Sequence, residues 1–251
     1  MDLQCSVARK RLPMMLAMVA VLMTNVPVGA VASVSVDAAS VSPEALLQHS
    51  RAALAKLGVY RLRFTKEERL EDGWIGPQVM DLVVRERPFA VRATIIAGPN
   101  KGRRFLYDTT SNKEQLLLRE AGLLGMLPLW IDIDSRLTRG DTRHGANELG
   151  FGFILATIER DHRLAQGRFM FTDEGLDKAG ARCLMLTPPP AVPGIYALRT
   201  RVCFAPSSLA MTRVEVWDQR GLAERFAFQV VEANMSDSGL FTLDDAPAAS
   251  R

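Results

Sequence analysis

The chain has 251 residues, 48% of them hydrophobic, and a formal net charge of +3. Residues 1–32 include Arg9, Lys10, Arg11 and Asp2, so the rest of the chain carries about +1, the +3 less a net +2. That balance excludes a broad basic field for nucleic-acid phosphates, while the length beyond residue 32 suffices for one large core.

The first 32 residues follow the order of an export signal. Met1–Leu12 holds the basic cluster, Pro13–Val28 is uncharged and apolar, and Val28-Gly29-Ala30 or Ala30-Val31-Ala32 ends it with small residues. This order predicts a signal peptide over 1–32, cleaved on export to the periplasm. The apolar stretch is short for a membrane span, contains Pro27 and has no basic stop-transfer cluster after it, so no stable transmembrane span is expected. Cys5 precedes the stretch rather than following it, which argues against a lipid-modified N-terminus.

Residues 33–41 are small and polar and read as a flexible leader, with a single domain over 42–245 and a disordered tail over 246–251. Ser42, Pro43 and Glu44 are the N-cap, first position and acidic first turn of a helix. Leu46, Leu47, Ala53, Leu54 and Leu57 continue it at helical spacing, and Gly58 ends it. Period-two alternation follows at once, with Tyr60, Leu62 and Phe64 between Arg61, Arg63 and Thr65.

Further strands are expected at Gln78–Arg85, from Phe89 to Ile95, at Arg103–Tyr107 and at Gln115–Arg119. Short turns link them, so they form an antiparallel meander. Gly122–Ile133 is apolar without a clean period, and Asp132–Asp141 predicts loop or short helical turns. A helix is expected from about Asn147 to Leu164, although Gly150 and Gly152 weaken its start. Gly167–Thr172, Ala181–Leu186, Tyr196–Phe204, Met211–Trp217 and Leu222–Val231 complete the strands, the last two as a hairpin turning at Gly221. The class is α+β, dominated by antiparallel sheet. Cys183 and Cys203, the two cysteines left after cleavage, are predicted to form a disulfide in an oxidising compartment.

Three segments carry a family resemblance: Arg85–Val91 (RERPFAV), Gly98–Tyr107 (GPNKGRRFLY) and Arg143–Phe153 (RHGANELGFGF). They resemble the exported bacterial proteins of the DUF1571 family, over most of residues 45–240. More distantly, the layout is similar to the superfamily of the periplasmic lipoprotein carrier LolA, its acceptor LolB and the regulator RseB. That resemblance implies a LolA-like fold, a strongly curved antiparallel sheet forming an incomplete barrel covered by helices. It also implies a periplasmic setting and a concavity that holds acyl chains or lipoprotein parts. It implies no catalytic residues.

Motifs for chemistry are sparse. No G-x-S-x-G elbow occurs, Asp132-Ile133-Asp134 lacks the rest of a calcium loop, and Gly98–Gly102 lacks Walker spacing. No cofactor or metal is expected. Asp141, His144 and Glu148 are the one candidate catalytic cluster, for a hydrolase, though Gly140 and Gly145 favour a loop with a backbone-holding role. His162, within a charged run, reads as lying on a solvated helix face. Trp74, Met126, Leu127, Leu129 and Trp130 fall in or near expected loops, where they either line a ligand cavity or close the core.

The leading functional reading is therefore non-catalytic binding of a lipid, an acyl chain or a lipidated or membrane-associated envelope protein. The alternatives are a structural or regulatory interaction module with a filled core, and the hydrolase.

Overall fold

A computed structural model of the protein describes residues 42–122, 125 and 127–243. The expected signal peptide, leader and tail lie outside the described residues, as does Met126.

Helix α1, Pro43–Lys56, starts where the capping pattern predicts, with the Ser42 hydroxyl accepting from the N–H of Ala45. Gly58 (φ +59°) then turns the chain into the meander. This runs β1 Val59–Leu70, β2 Gly73–Glu86, β3 Phe89–Ala97, β4 Arg104–Asp108, β5 Gln115–Arg119 and β6 Leu129–Asp132. A short helix α2, Arg136–Arg139, and a 3-10 turn, Ala146–Glu148, lead to α3, Phe151–Leu164. The second run is β7 Met170–Leu176, β8 Arg182–Thr187, β9 Arg199–Phe204, β10 Met211–Asp218 and β11 Gly221–Met235. No helix among the described residues is long and apolar enough to cross a membrane.

All eleven strands join one antiparallel sheet in the order β6-β5-β4-β3-β2-β1-β11-β10-β9-β8-β7. The long pairing of β1 with β11 joins the two meanders, Phe64 opposite Phe228 and Glu68 opposite Glu224. One face is apolar, with Tyr60, Leu62, Phe64, Leu82, Val202 and Phe226 in the core that Leu46 of α1 and Phe151 and Leu155 of α3 complete. Arg51 of α1 pairs with Glu159 of α3. The other face exposes Arg63 but also buries the Cys183–Cys203 disulfide, which ties directly opposed residues of β8 and β9.

The expected incomplete barrel is corrected by this topology. The sheet is α+β and antiparallel as predicted, but it is open rather than strongly curved or closing into a barrel. Its outer strands β6 and β7 each pair on one side only and not with each other. Closure requires every edge to find a partner, and the chain instead uses the long stretch between β6 and β7 to lay α2, the 3-10 turn and α3 across one face. Another correction concerns Gly122–Ile133, whose end supplies β6 by pairing with β5.

Gly150 and Gly152 mark close packing rather than a weak helix. The Glu86 carboxylate receives the Tyr60 hydroxyl at 2.5 Å and the N–H of Gly152 at 3.1 Å, while the Tyr60 oxygen accepts from the N–H of Phe151 at 3.3 Å. Two donors of the first turn of α3, which no intrahelical carbonyl can satisfy, thereby find partners on the sheet. A carboxylate at that end is also favoured by the helix dipole.

Candidate functional site

The segment between α2 and α3 lies over the middle of the sheet, at the β1–β11 seam. In β1 the inward phase that begins with Tyr60, Leu62 and Phe64 continues through Lys66 and Glu68. In β11 the phase of Phe228 and Phe226 continues to Glu224. Strand alternation thus carries three charged side chains into the interior, where Glu68 is 1% and Glu224 0% exposed.

The 142–148 segment supplies their partners. Thr142 donates to Glu68 Oε2 at 2.8 Å, and Lys66 Nζ donates to the same oxygen at 3.0 Å and to Thr142 Oγ1 at 2.6 Å. Arg143 Nε lies 2.6 Å from Glu224 Oε1. His144 Nδ1 faces Glu148 Oε2 at 3.1 Å, and its Nε2 meets the Tyr196 hydroxyl at 3.0 Å and Glu224 Oε2 at 3.3 Å. The Tyr196 hydroxyl donates to Glu224 Oε1. Phe153 and Phe226 each stand edge-on to the His144 ring.

This wiring sets the proton positions. Burial alone would lower the His144 pKa, but the Glu148 and Glu224 carboxylates outweigh it and hold the ring at about 9. Burial pushes Glu224 up, yet His144, Tyr196 and Arg143 together keep it below the usual carboxylate range. Burial and the Glu224 charge push Tyr196 up, so its hydroxyl stays protonated and remains a donor. At neutral pH His144 is therefore an imidazolium donating from both nitrogens, with no lone pair to accept a nucleophile's proton.

A cleft opens beside this cluster, between α3 and the sheet. Its enclosed volume is about 60 Å³, and about 790 Å³ when all atom-free space out into open solvent is counted. Phe64, Phe153, Ile154, Phe169, Phe226 and Phe228 give it apolar walls, and Glu68, His144, Tyr196 and Glu224 also border it. A second, smaller cavity of about 530 Å³ lies toward β2–β5. Lys66, His144 and Leu149 border both.

Of the residues singled out from sequence, His144 and Glu148 come together. Asp141 instead accepts a hydrogen bond from Asn100 and borders the smaller cavity. Trp74 sits next to the β1–β2 turn, 45% exposed, with the Arg225 guanidinium 5.3 Å from its ring centre. Leu127 and Leu129 are largely exposed, and Trp130 lies on edge strand β6 opposite Leu117. None of these four borders the cleft beneath α3. His162 packs edge-on against Phe169 and Phe171 rather than standing on a solvated face. Sequence reading passed over Lys66, Glu68, Tyr196 and Glu224. For Lys66, Glu68 and Glu224 the signal was charge at the otherwise apolar inward phase of β1 and β11, a departure that marks buried polar groups, whereas Tyr196, in the loop before β9, carried no such signal.

The family model described as "Protein of unknown function (DUF1571)" matches residues 58–237. No curated protein matches the chain by sequence. Among solved structures, the chain is similar to lipoprotein LppX of Mycobacterium tuberculosis, with a TM-score of 0.45 and 14% identity over 78% of this chain and 98% of that one. An uncharacterised conserved protein of Thermus thermophilus gives 0.43 and 9%, over 81% and 95%. A LolA superfamily protein of Nitrosomonas europaea gives 0.35 and 10%, over 82% and 99%. These are likenesses of outline alone and say nothing of ligand or mechanism.

Proposed function

The chain belongs to the DUF1571 family, and we propose that it is an exported, non-catalytic protein that binds the hydrophobic chain of a lipid or of a lipidated envelope protein in the cleft between α3 and the sheet. Export rests on the order of basic, apolar and small residues over 1–32, taken as a cleaved signal peptide that leaves one domain over 42–245. Binding rests on a single observation: aromatic and aliphatic side chains from β1, α3 and β11, among them Phe64, Phe153 and Phe226, line a cleft that opens to solvent. Interiors are normally packed to crystal-like density, so an apolar gap of this kind is where an apolar guest gains most. Along these apolar walls water gains little, because it needs polar partners on several sides.

Thr157 provides the test, since it is a half-buried α3 residue bordering the cleft. Thr157→Trp should fill the gap without opening the core. The protein should enhance 1-N-phenylnaphthylamine fluorescence saturably, and the variant should bind it about tenfold more weakly. No enhancement, or equal enhancement by a folded variant, would overturn the reading.

A further inference from the structure

We propose that the cleft selects amphiphiles whose head donates hydrogen bonds and carries no negative charge, such as a hydroxyl, amide or amine, over chains ending in a carboxylate. This rests on the reading of the cleft as a hydrophobic-chain site.

Glu68 and Glu224 stand directly opposite each other across the β1–β11 pair. Like charges in that position repel, and both groups are buried, so their acceptor oxygens are costly to leave unmet. The neighbouring donors are committed to one oxygen of each. Lys66 and Thr142 bond Glu68 Oε2, while Tyr196 and Arg143 meet Glu224 Oε1. Glu68 Oε1 is buried and accepts no hydrogen bond among the described residues, and Glu224 Oε2, also buried, has only the His144 Nε2 donor at 3.3 Å, which it shares with the Tyr196 hydroxyl. Both side chains border the apolar cleft.

The unmet capacity at its polar end is therefore acceptor capacity on two adjacent carboxylates. A donor head satisfies it, and a hydrogen bond to a charged acceptor is stronger than one between neutral groups. Lys66, Arg143 and His144 are already paired with Glu68, Glu224 and Glu148, and Arg139, the other cation at Glu148, is also held by Asp134. A carboxylate head would bring a third anion to the Glu68–Glu224 pair without a free cation to meet it. An ester head would bring no donor to either oxygen.

Dodecanol, laurate and methyl laurate share a chain class and differ in the head, so their displacement of 1-N-phenylnaphthylamine isolates this term. At neutral pH, and below their aggregation concentrations, dodecanol should displace the probe at about tenfold lower concentration than either of the others. In Glu224→Gln and Glu68→Gln proteins, laurate should close much of that gap. Should those variants fail to fold, the ranking on the unaltered protein still decides. Laurate or methyl laurate competing as well as dodecanol would overturn the head-group inference and leave the cleft intact as a chain-binding site. Failure of every chain to displace bound probe would remove both.

Discussion

Glu86, at the end of β2, accepts a hydrogen bond from the backbone of Gly152 in the first turn of α3, and a Cβ on Gly152 would lie 2.1 Å from Glu86 Oε2. Two of the segments that carry the family resemblance thus meet at one contact. A glycine inside an ordinary helix is replaced by alanine with a gain of up to about 1 kcal/mol. Here the sign should reverse, because the new methyl expels the carboxylate that caps the helix. Gly152→Ala should lower unfolding free energy by about 1–2 kcal/mol, a cap's worth, as read by urea denaturation. A stabilised variant would show that Glu86 does not hold α3 to the sheet.

The His144 cluster makes a pH prediction. Its folded pKa of about 9 exceeds the ordinary 6.5, so its contribution to stability is fully present below the unfolded value and is lost as pH rises through the folded one. The difference corresponds to stability on the order of 3 kcal/mol. Glu148 and Glu224 are held low, so their contribution is present above the ordinary carboxylate value and lost on acidification. Stability should peak between these limits and decline from about pH 6.5 to 9. In His144→Gln, which cannot titrate, the alkaline slope should flatten. An unchanged slope in the variant would mean that His144 is not the group responsible.

How much of this was legible in the chain follows from the range of each signal. Helix α1, the β1–β5 meander and the β10–β11 hairpin are local, set by capping at Ser42, alternation from Tyr60 and the turn before Gly221, and all were predicted, although β2 begins at Gly73 rather than at the expected Gln78. The open sheet was not, because closure depends on whether β6 and β7 pair, and no local pattern encodes a contact between elements so far apart. β6 itself was read only as aperiodic apolar chain, since a four-residue edge strand gives too little alternation to count. The His144–Glu148 pair was visible from its spacing. Glu224 and Tyr196 come from distant strand and loop, and only the inward phase of β11 hinted at the first.

The Cys183–Cys203 disulfide closes a loop between residues 20 apart in sequence. Cross-linking that loop should stabilise the protein by about 3 kcal/mol through the unfolded state. Cys183→Ala/Cys203→Ala protein should show the deficit in denaturant unfolding, and the reduced unaltered protein should match it. A double variant as stable as the oxidised protein would show that the bond adds nothing.

Trp130 and Thr157 separate edge strand from cleft. Trp130→Ala should leave probe affinity within about twofold of the unaltered protein, because the indole lies on β6 and not on the cleft lining. Thr157→Trp should abolish most uptake. A large loss of binding by a folded Trp130→Ala protein would move the site to the β5–β6 edge.

The central claim, that the space between α3 and the sheet holds a hydrophobic chain, is tested most directly by native mass spectrometry of the protein recovered from the envelope of an exporting bacterium. The unaltered protein should carry a discrete added mass that organic solvent extracts as an amphiphile, and the Thr157→Trp protein should fly without it. A clean apo mass for the unaltered protein, or the same adduct on the folded variant, would contradict it.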